Sequence, residues 1–384
     1  MNHLRDSILA PFVALLLSGC ASPDYGPQPF RCASGRCPEG YECIDGRCCH
    51  ADSVDDPENP CRICRPYLPC VKTLAGTGAG GFTDGPAGTA EIRGPNGVAV
   101  DGATVYFSET ANHAIRVVRD GRVEKLAGGQ NGFADGSVDE ARFDRPTGIA
   151  VGPDGALYVA DSGNSRIRRI AGGVVSTVAG DGTFGDRDGP AKQARFRYPQ
   201  ALAVDTSGRI YVADTWAYRV RVIAGGVVDT LAGTVGGYTD GPVGTARFVE
   251  PKGIAVDSAG RVFVSDLNRI RMIEGGVVTT LAGDAAGYAD GPAAQARFDK
   301  ATGTALGPDG TLYVAEAGNH RIRVLAGGQV TTLAGNGEVG SADGPGALAT
   351  FDRPLAVALG GDGQLYVAGS YNNKLRVITL PQEK

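Results

Sequence analysis

Thr73-Leu74-Ala75-Gly76 decides how the chain is read, because it returns as Thr230–Gly233, Thr280–Gly283 and Thr332–Gly335, with variants at Lys125–Gly128 and Thr177–Gly180. The closing glycines stand at 76, 128, 180, 233, 283 and 335, so the spacings are 52, 52, 53, 50 and 52. A fixed period of that length marks a stack of identical supersecondary units. Six units of about this size fit the roughly 4–8 blades of a β-propeller.

Each unit has the same internal order. In the second, a small apolar strand at Gly148–Val151 is followed by a Gly152–Gly155 turn and by Leu157-Tyr158-Val159-Ala160-Asp161. Arg166-Ile167-Arg168-Arg169-Ile170 comes next, and a Gly172-Gly173 hairpin leads to Val174–Val178. This predicts four short strands per blade joined by turn residues. Strands one and two are apolar on both faces, as expected of strands buried between stacked blades. The third alternates Ile or Val with Arg and is expected to be half-wet. The array opens on a fourth strand, Val71–Gly76, and closes on a third, Asn373–Ile378. The entering strand is therefore expected to complete the last blade and remove both free edges. The expected fold is all-β, a six-bladed propeller of four-stranded blades over residues 71–384.

The units resemble NHL repeats. The Asn-His pair stands at Asn112-His113 and Asn319-His320, and Leu-Tyr-Val-Ala-Asp/Glu at Leu157–Asp161 and Leu312–Glu316. The Asp-Gly-Pro…Ala-Arg-Phe connection resembles that of NHL proteins carrying a thioredoxin-like domain, which has no counterpart here. The resemblance implies the six-bladed fold and no single activity, since this fold hosts binding modules and enzymes alike.

Ahead of the array lie three further segments. Arg5 precedes the apolar run Ile8–Leu17, and Leu17-Ser18-Gly19-Cys20 ends it. A short basic start, a short apolar run and small residues before a cut site describe an export signal over residues 1–19. The ending resembles the lipobox of bacterial lipoproteins, which implies acylation of Cys20, a tether over residues 20–31 and attachment to a membrane, the outer membrane or cell surface being favoured by Ala21. The other eight of the nine cysteines are Cys32, Cys37, Cys43, Cys48, Cys49, Cys61, Cys64 and Cys70, and none follows. Behind an export signal they read as four disulfides stapling a module over 32–70 that is too small to hold itself by burial. Their pairing is open. A zinc site using Cys48, Cys49, His50, Cys61 and Cys64 is the competing reading.

Composition limits the function. Hydrophobic residues are 42% and charged residues 21% of the 384, and Gly (59) with Pro (22) make a turn-rich chain. The net charge of −5 argues against nucleic acid as a partner.

Several residue sets invite a role. The second strand ends in Glu109, Asp161, Asp214, Asp266 and Glu316, with Gly369 in the sixth unit. These acids are expected to cap turns or pair with Arg168, Arg221, Arg271 and Arg323 of the following strand rather than ring a metal. The loop acids Asp84, Asp135, Asp188, Asp240, Asp290 and Asp343 are read as structural too. Phe143, Phe196, Phe248, Phe298 and Phe351 are expected plugs between blades. Unit three departs from the pattern with Trp216-Ala217-Tyr218, and Trp216 is the sole Trp. Trp216 and Tyr218 are the candidate partner-binding residues on the face that carries the long loops.

His113 and His320 are too few for catalytic zinc and are expected to lie three to four blades apart. No Ser-His-Asp, HExxH or phosphate-loop motif is present. The sequence therefore points to a monomeric, lipid-anchored module of the cell envelope that binds a protein, peptide or glycan and carries no cofactor. The alternative is a metal-dependent lyase or lactonase-like hydrolase with a divalent metal at the channel mouth.

Overall fold

Period and turn chemistry translate directly into geometry. The computed structural model describes residues 68–369 and 371–381 in full, together with the backbone of the strands at 30–31, 41–44 and 47–50. Two compact units are separated, Met1–Ile63 and Cys64–Lys384. In the first, Arg47–His50 is the middle strand of a three-stranded antiparallel sheet, flanked by Phe30–Arg31 and Tyr41–Ile44. The export signal, Cys20, Cys32, Cys37, Cys61, Cys64 and the side chains of Cys43, Cys48 and Cys49 lie outside the described residues. Cys70 is buried and disulfide-bonded.

The second unit is a ring of six antiparallel sheets. In blade 2 the strands run from the axis outward as Pro146–Val151, Leu157–Asp161, Arg166–Ala171 and Val174–Ala179. The inner strands of the other blades are Pro95–Asp101, Pro199–Val204, Pro251–Val256, Ala301–Leu306 and Pro354–Leu359. Ring closure follows the expected offset. Cys70–Ala75 pairs with Lys374–Thr379, with Thr73 opposite Arg376 and Lys72 opposite Val377.

The strand count differs from the expectation of four. Every blade carries a fifth, two-residue strand at its rim, such as Gly136–Ser137 on Val174–Val175. The Asp-Gly-Pro segment of the long loop supplies it in five blades, and Asp-Gly-Ser in blade 2. That segment crosses the outer edge before turning inward, and so covers two residues of an otherwise open strand.

The third strand also departs from expectation. It is not half-wet throughout: its central Arg116, Arg168, Arg221, Arg271, Arg323 and Arg376 are at most 1% exposed. Each reaches the loop Asp of its own blade, as in Arg168–Asp135 at 2.7 Å and Arg376–Asp343 at 2.6 Å. Five also bind the acid that ends the second strand, from Arg168–Asp161 at 2.7 Å to Arg221–Asp214 at 3.1 Å. The same guanidinium donates to loop carbonyls, for example Arg168 Nη1 to Arg142 O at 3.0 Å and Nη2 to Ala134 O at 2.7 Å. A buried charge is tolerable only when its donors are met in this way.

Phe143, Phe196, Phe248, Phe298 and Phe351 are fully buried between neighbouring blades. Phe143, for instance, packs with Ile115 and Ala127 of blade 1 and with Ile149 and Val159 of blade 2. Hydroxyls latch blade to blade: Thr110 Oγ1 donates to Pro146 O at 2.8 Å and Thr215 Oγ1 to Pro251 O at 2.6 Å. Near the axis the inner strands nearly touch. A Cβ on Gly148 would stand 2.6 Å from Ala201 Cα, and one on Gly303 would stand 2.5 Å from Ala356 Cα. Glycine there lets the ring close tightly.

Candidate functional site

The turns between second and third strands and the loops that link one blade to the next project from one face. Between them lies a cavity of about 660 Å³ over the axis, with a narrower one of about 130 Å³ beneath it. A volume of 660 Å³ is within the range of small-molecule sites. Four of the residues that line it, Gly94, Arg145, Lys300 and Arg353, come from one repeat position, the residue just before each inner strand. That position holds Gly94, Arg145, Tyr198, Glu250, Lys300 and Arg353. Five of the six have left-handed backbone, including Arg145 (φ 48), Lys300 (φ 54) and Arg353 (φ 49). For side chains with a Cβ this costs about 1–2 kcal/mol each, so the surrounding structure must impose it.

The imposing contact comes from the preceding blade. His113 Nδ1 accepts from the backbone N–H of Arg145 at 3.1 Å, and His320 Nδ1 accepts from that of Arg353 at 3.1 Å. Asn373 Oδ1 does the same for Gly94 at 3.1 Å. Burial, the first cause, with Arg353 and Arg321 nearby, holds the His320 imidazole below its ordinary value despite Asp352. A neutral ring that accepts at Nδ1 keeps its proton on Nε2.

His113 and His320 thus have a positioning role, and both line the same cavity. Their expected separation by three to four blades is corrected. Counted through the closure, only blade 6 stands between them.

The charge of the mouth is the finding with most chemical content. Arg145, Lys252, Lys300 and Arg353 line the cavity against the single carboxylate of Asp299. Arg145 is 3.4 Å from Asp144 and Lys252 is 2.8 Å from Glu250. Among the described residues Lys300 and Arg353 have no carboxylate within ion-pair distance, and Arg353 lies over the Tyr371 ring at 4.7 Å. This positive mouth sits on a chain of net charge −5.

Trp216 stands beside it. It is 52% exposed, stacked on Tyr198 at 4.5 Å and 16°, with Phe184 edge-on at 6.1 Å. Arg145 lies 5.7 Å from the Tyr198 ring, so the platform and the cavity share a residue. The cause is local. In blades 1, 2 and 5 an Asn pins the long loop, as Asn164 Nδ2 does to Gly132 O at 2.8 Å, and Phe133 covers Arg166 at 3.8 Å. Blade 3 has Ala217 in place of that Asn. Its loop is held instead by Arg219 on Asp186 at 3.3 Å, and Phe184 turns onto Trp216. Tyr218 is 39% exposed but lies over Gly236 of the next loop, apart from the platform.

The acids that end the second strand do not reach this surface. Glu109, Asp161, Asp214, Asp266 and Glu316 are wholly buried. Desolvation pushes Asp161 up to about 6 and Asp214 up to about 7, against the pull of Arg168 and Arg221. Glu109, Asp266 and Glu316 are raised for the same reason. In blade 6, Gly369 has no side chain to offer, and Asn372 Oδ1 accepts from Asp352 N at 2.8 Å where the acid otherwise would.

Among the described residues no three His, Cys, Asp or Glu side chains gather as metal ligands. At the mouth both imidazoles spend Nδ1 on backbone N–H groups and four cations surround the space. That donor set does not suit a divalent ion.

Sequence reasoning reached Trp216 and the long-loop face but missed Phe184, Tyr198 and the four cations. The signal was present in the column before each inner strand, where residue type changes between conserved-looking neighbours such as Phe143 and Pro146.

Similar proteins agree with this architecture. A family model for the NHL repeat matches residues 143–170, 196–223 and 298–325, each running from an interblade Phe to the third strand. The chain is 33% identical over 223 residues to the Arabidopsis thaliana protein SUPPRESSOR OF QUENCHING 1, chloroplastic, covering 52% of this chain and 21% of that protein. It is 38% identical over 123 residues to human NHL repeat-containing protein 2, covering 30% and 17%. The chain thus spans about a fifth of the length of these two relatives. Among solved structures, an auxiliary nutrient binding protein from Bacteroides thetaiotaomicron superposes with a TM-score of 0.65 at 15% identity, covering 88% of this chain and 86% of that one. At that identity the likeness is one of fold.

Proposed function

This chain is an NHL-repeat β-propeller, and from that premise we propose that it works by recognition, as an extracytoplasmic, lipid-anchored module that holds a protein, peptide or glycan of the cell envelope on its long-loop face. The observation that carries the reading is the break in repeat symmetry at the mouth. Beneath the face the six blades repeat the same Arg–Asp contacts and nearly the same plug. At the face the corresponding positions are Gly94, Arg145, Tyr198, Glu250, Lys300 and Arg353, and the first, second, fifth and sixth of them line a cavity of about 660 Å³. Positions that serve the ring repeat; positions that serve an asymmetric ligand have no reason to.

A rigid ring supports binding, because little ordering has to be completed when a ligand arrives. The use of a similar fold by a nutrient-binding protein supports it as well. The anchor rests on Leu17-Ser18-Gly19-Cys20, and two or more acyl chains on Cys20 suffice for stable attachment.

The test is a screen of the purified full chain against glycan and peptide arrays. Binding is expected to be lost in Trp216→Ala with Arg353→Asn and kept in Arg261→Ala on the opposite mouth. An array without hits, or hits indifferent to both changes, sinks the recognition reading. Intact-mass measurement of the mature protein checks acylation of Cys20 and the number of oxidised cysteines.

A further inference from the structure

We propose that the mouth cavity is a site for a small anion that carries a ring, with its carboxylates or phosphates among Arg145, Lys300 and Arg353 and its ring against the Tyr198–Trp216 stack. The inference rests on the recognition reading and narrows it to a ligand class.

The first observation is charge. Four cations and one carboxylate line a single cavity; Arg145 and Lys252 are paired with Asp144 and Glu250 at its edge, while Lys300 and Arg353 have no carboxylate partner among the described residues. Like charges crowded around a shared space oppose one another, so a partner of opposite sign relieves the arrangement. Arg offers the planar fork that matches a carboxylate or phosphate, and Lys adds a compact charge.

The second is the backbone. Arg145, Lys300 and Arg353 are each held with positive φ, and the first and third by an imidazole of the preceding blade. The cations are therefore presented by a rigid scaffold rather than by free-swinging loop residues. Both imidazoles, with the ring proton on Nε2, add polar donors to the same wall and no negative charge.

The third is the aromatic stack. Trp216 keeps 52% of its surface exposed although its other neighbours are rings. Arg145 joins it to the cavity through Tyr198 at 5.7 Å. A ligand reaching both parts needs a flat face at one end and negative charge at the other. Uronic-acid saccharides and nucleoside phosphates share that chemistry. A long polyanion does not fit as well, because the cations are confined to one cavity and the chain as a whole is acidic.

Trp216 is the only Trp in the chain, so intrinsic fluorescence reports the platform alone. The full chain is titrated with trigalacturonate, ADP, neutral galactotriose, inorganic phosphate and single-stranded oligothymidylate, by fluorescence and by calorimetry. Trigalacturonate or ADP is expected to bind and to change the Trp216 emission, and which of the two does so identifies the source. Galactotriose is expected not to bind, and phosphate to bind more weakly without the emission change.

Raising the salt from about 50 mM to about 200 mM should weaken binding several-fold. Lys300→Asn with Arg353→Asn should weaken it at least about tenfold, and these changes keep a residue that accepts left-handed backbone. Trp216→Ala should weaken it by calorimetry while leaving phosphate binding alone.

Equal binding of galactotriose would overturn the anionic assignment and leave the recognition reading standing. So would tighter binding of oligothymidylate than of either small anion, since the mouth would then track a polymer. Binding of none of the five, on a protein that still gives array hits, also removes this inference alone; loss of the array hits as well removes both.

Discussion

Blades 1 to 5 and blade 6 solve the same problem with different residues. In the first five, a buried Arg of the third strand is held between an inner acid and a loop Asp. In blade 6 the inner acid is Gly369, and Arg376 keeps only Asp343 as a charged partner. Arg376 is nonetheless 1% exposed, its Nε has no hydrogen-bond partner, and burial lowers its affinity for a proton despite Asp343. The backbone task of the missing acid passes to Asn372. The comparison separates two duties that coincide elsewhere. Receiving the backbone N–H after the plug position can be done by an amide. Neutralising the guanidinium requires a carboxylate, and one per blade is enough to keep the ring.

The strongest way to break this comparison is to remove the arginines. Arg221→Ala leaves Asp214 buried without its counter-charge and two carbonyls, those of Arg195 and Arg187, unmet, which should cost about 3–5 kcal/mol. Arg376→Ala also leaves two carbonyls unmet, those of Thr350 and Ala342, but its one carboxylate partner, Asp343, is 45% exposed and can turn to water, so about 2–3 kcal/mol is expected. Denaturant midpoints of the two variants check this. Equal losses would mean that the inner acids add nothing to the role of the loop acids.

The next effect is in pH. Asp161 and Asp214 are raised by burial to about 6 and about 7 from 3.8. Their folded-state values exceed the unfolded one, so the stability they contribute is full below about pH 4 and is lost as pH rises through about 6 to 7. Asp135 and Asp240 behave oppositely. Burial would raise them, but hydrogen bonds from Arg168 and Thr177, and from Thr280 and Arg271, outweigh it and hold both below the usual value. Their contribution is present above about pH 4 and is lost as pH falls further. Stability should therefore peak near about pH 4 and fall by about pH 8 on the order of a few kcal/mol. A flat profile across that interval would show that the inner acids stay charged throughout.

How far the sequence carried the reader follows the same division. The ring, its six blades and its closure were legible because strand period, turn glycines and the orphan strand at Val71–Gly76 are local signals repeated several times over. The pairing of Asp161 with Arg168 was legible because an acid and an Arg recur seven residues apart in four of the five blades that have both, and five apart in the other. The fifth strand was not, since two residues such as Gly189–Pro190 carry no alternation to detect. Nor was the burial of Arg168, because an Ile–Arg alternation looks the same whether the Arg meets water or two carboxylates. The mouth was hidden for a geometric reason. Arg145 and Arg353 are 208 positions apart and share a cavity only because the ring closes, and the one mark on the position before an inner strand is that its residue type changes from repeat to repeat, which does not say that it faces the axis.

The smallest expected effect is the sharpest test of the division between frame and face. Lys300→Asn with Arg353→Asn removes two cations from the mouth without touching a buried contact, because the N–H groups that Asn268 and His320 receive belong to the backbone. Asn tolerates positive φ better than Lys or Arg. Fewer like charges then share the cavity. The denaturant midpoint should stay within about 0.5 kcal/mol of the parent, or rise slightly, as for surface changes away from structural contacts. A loss of more than about 1 kcal/mol would place these cations in the frame, as partners of contacts the ring depends on, and would take from the mouth its claim to be shaped for something other than its own stability.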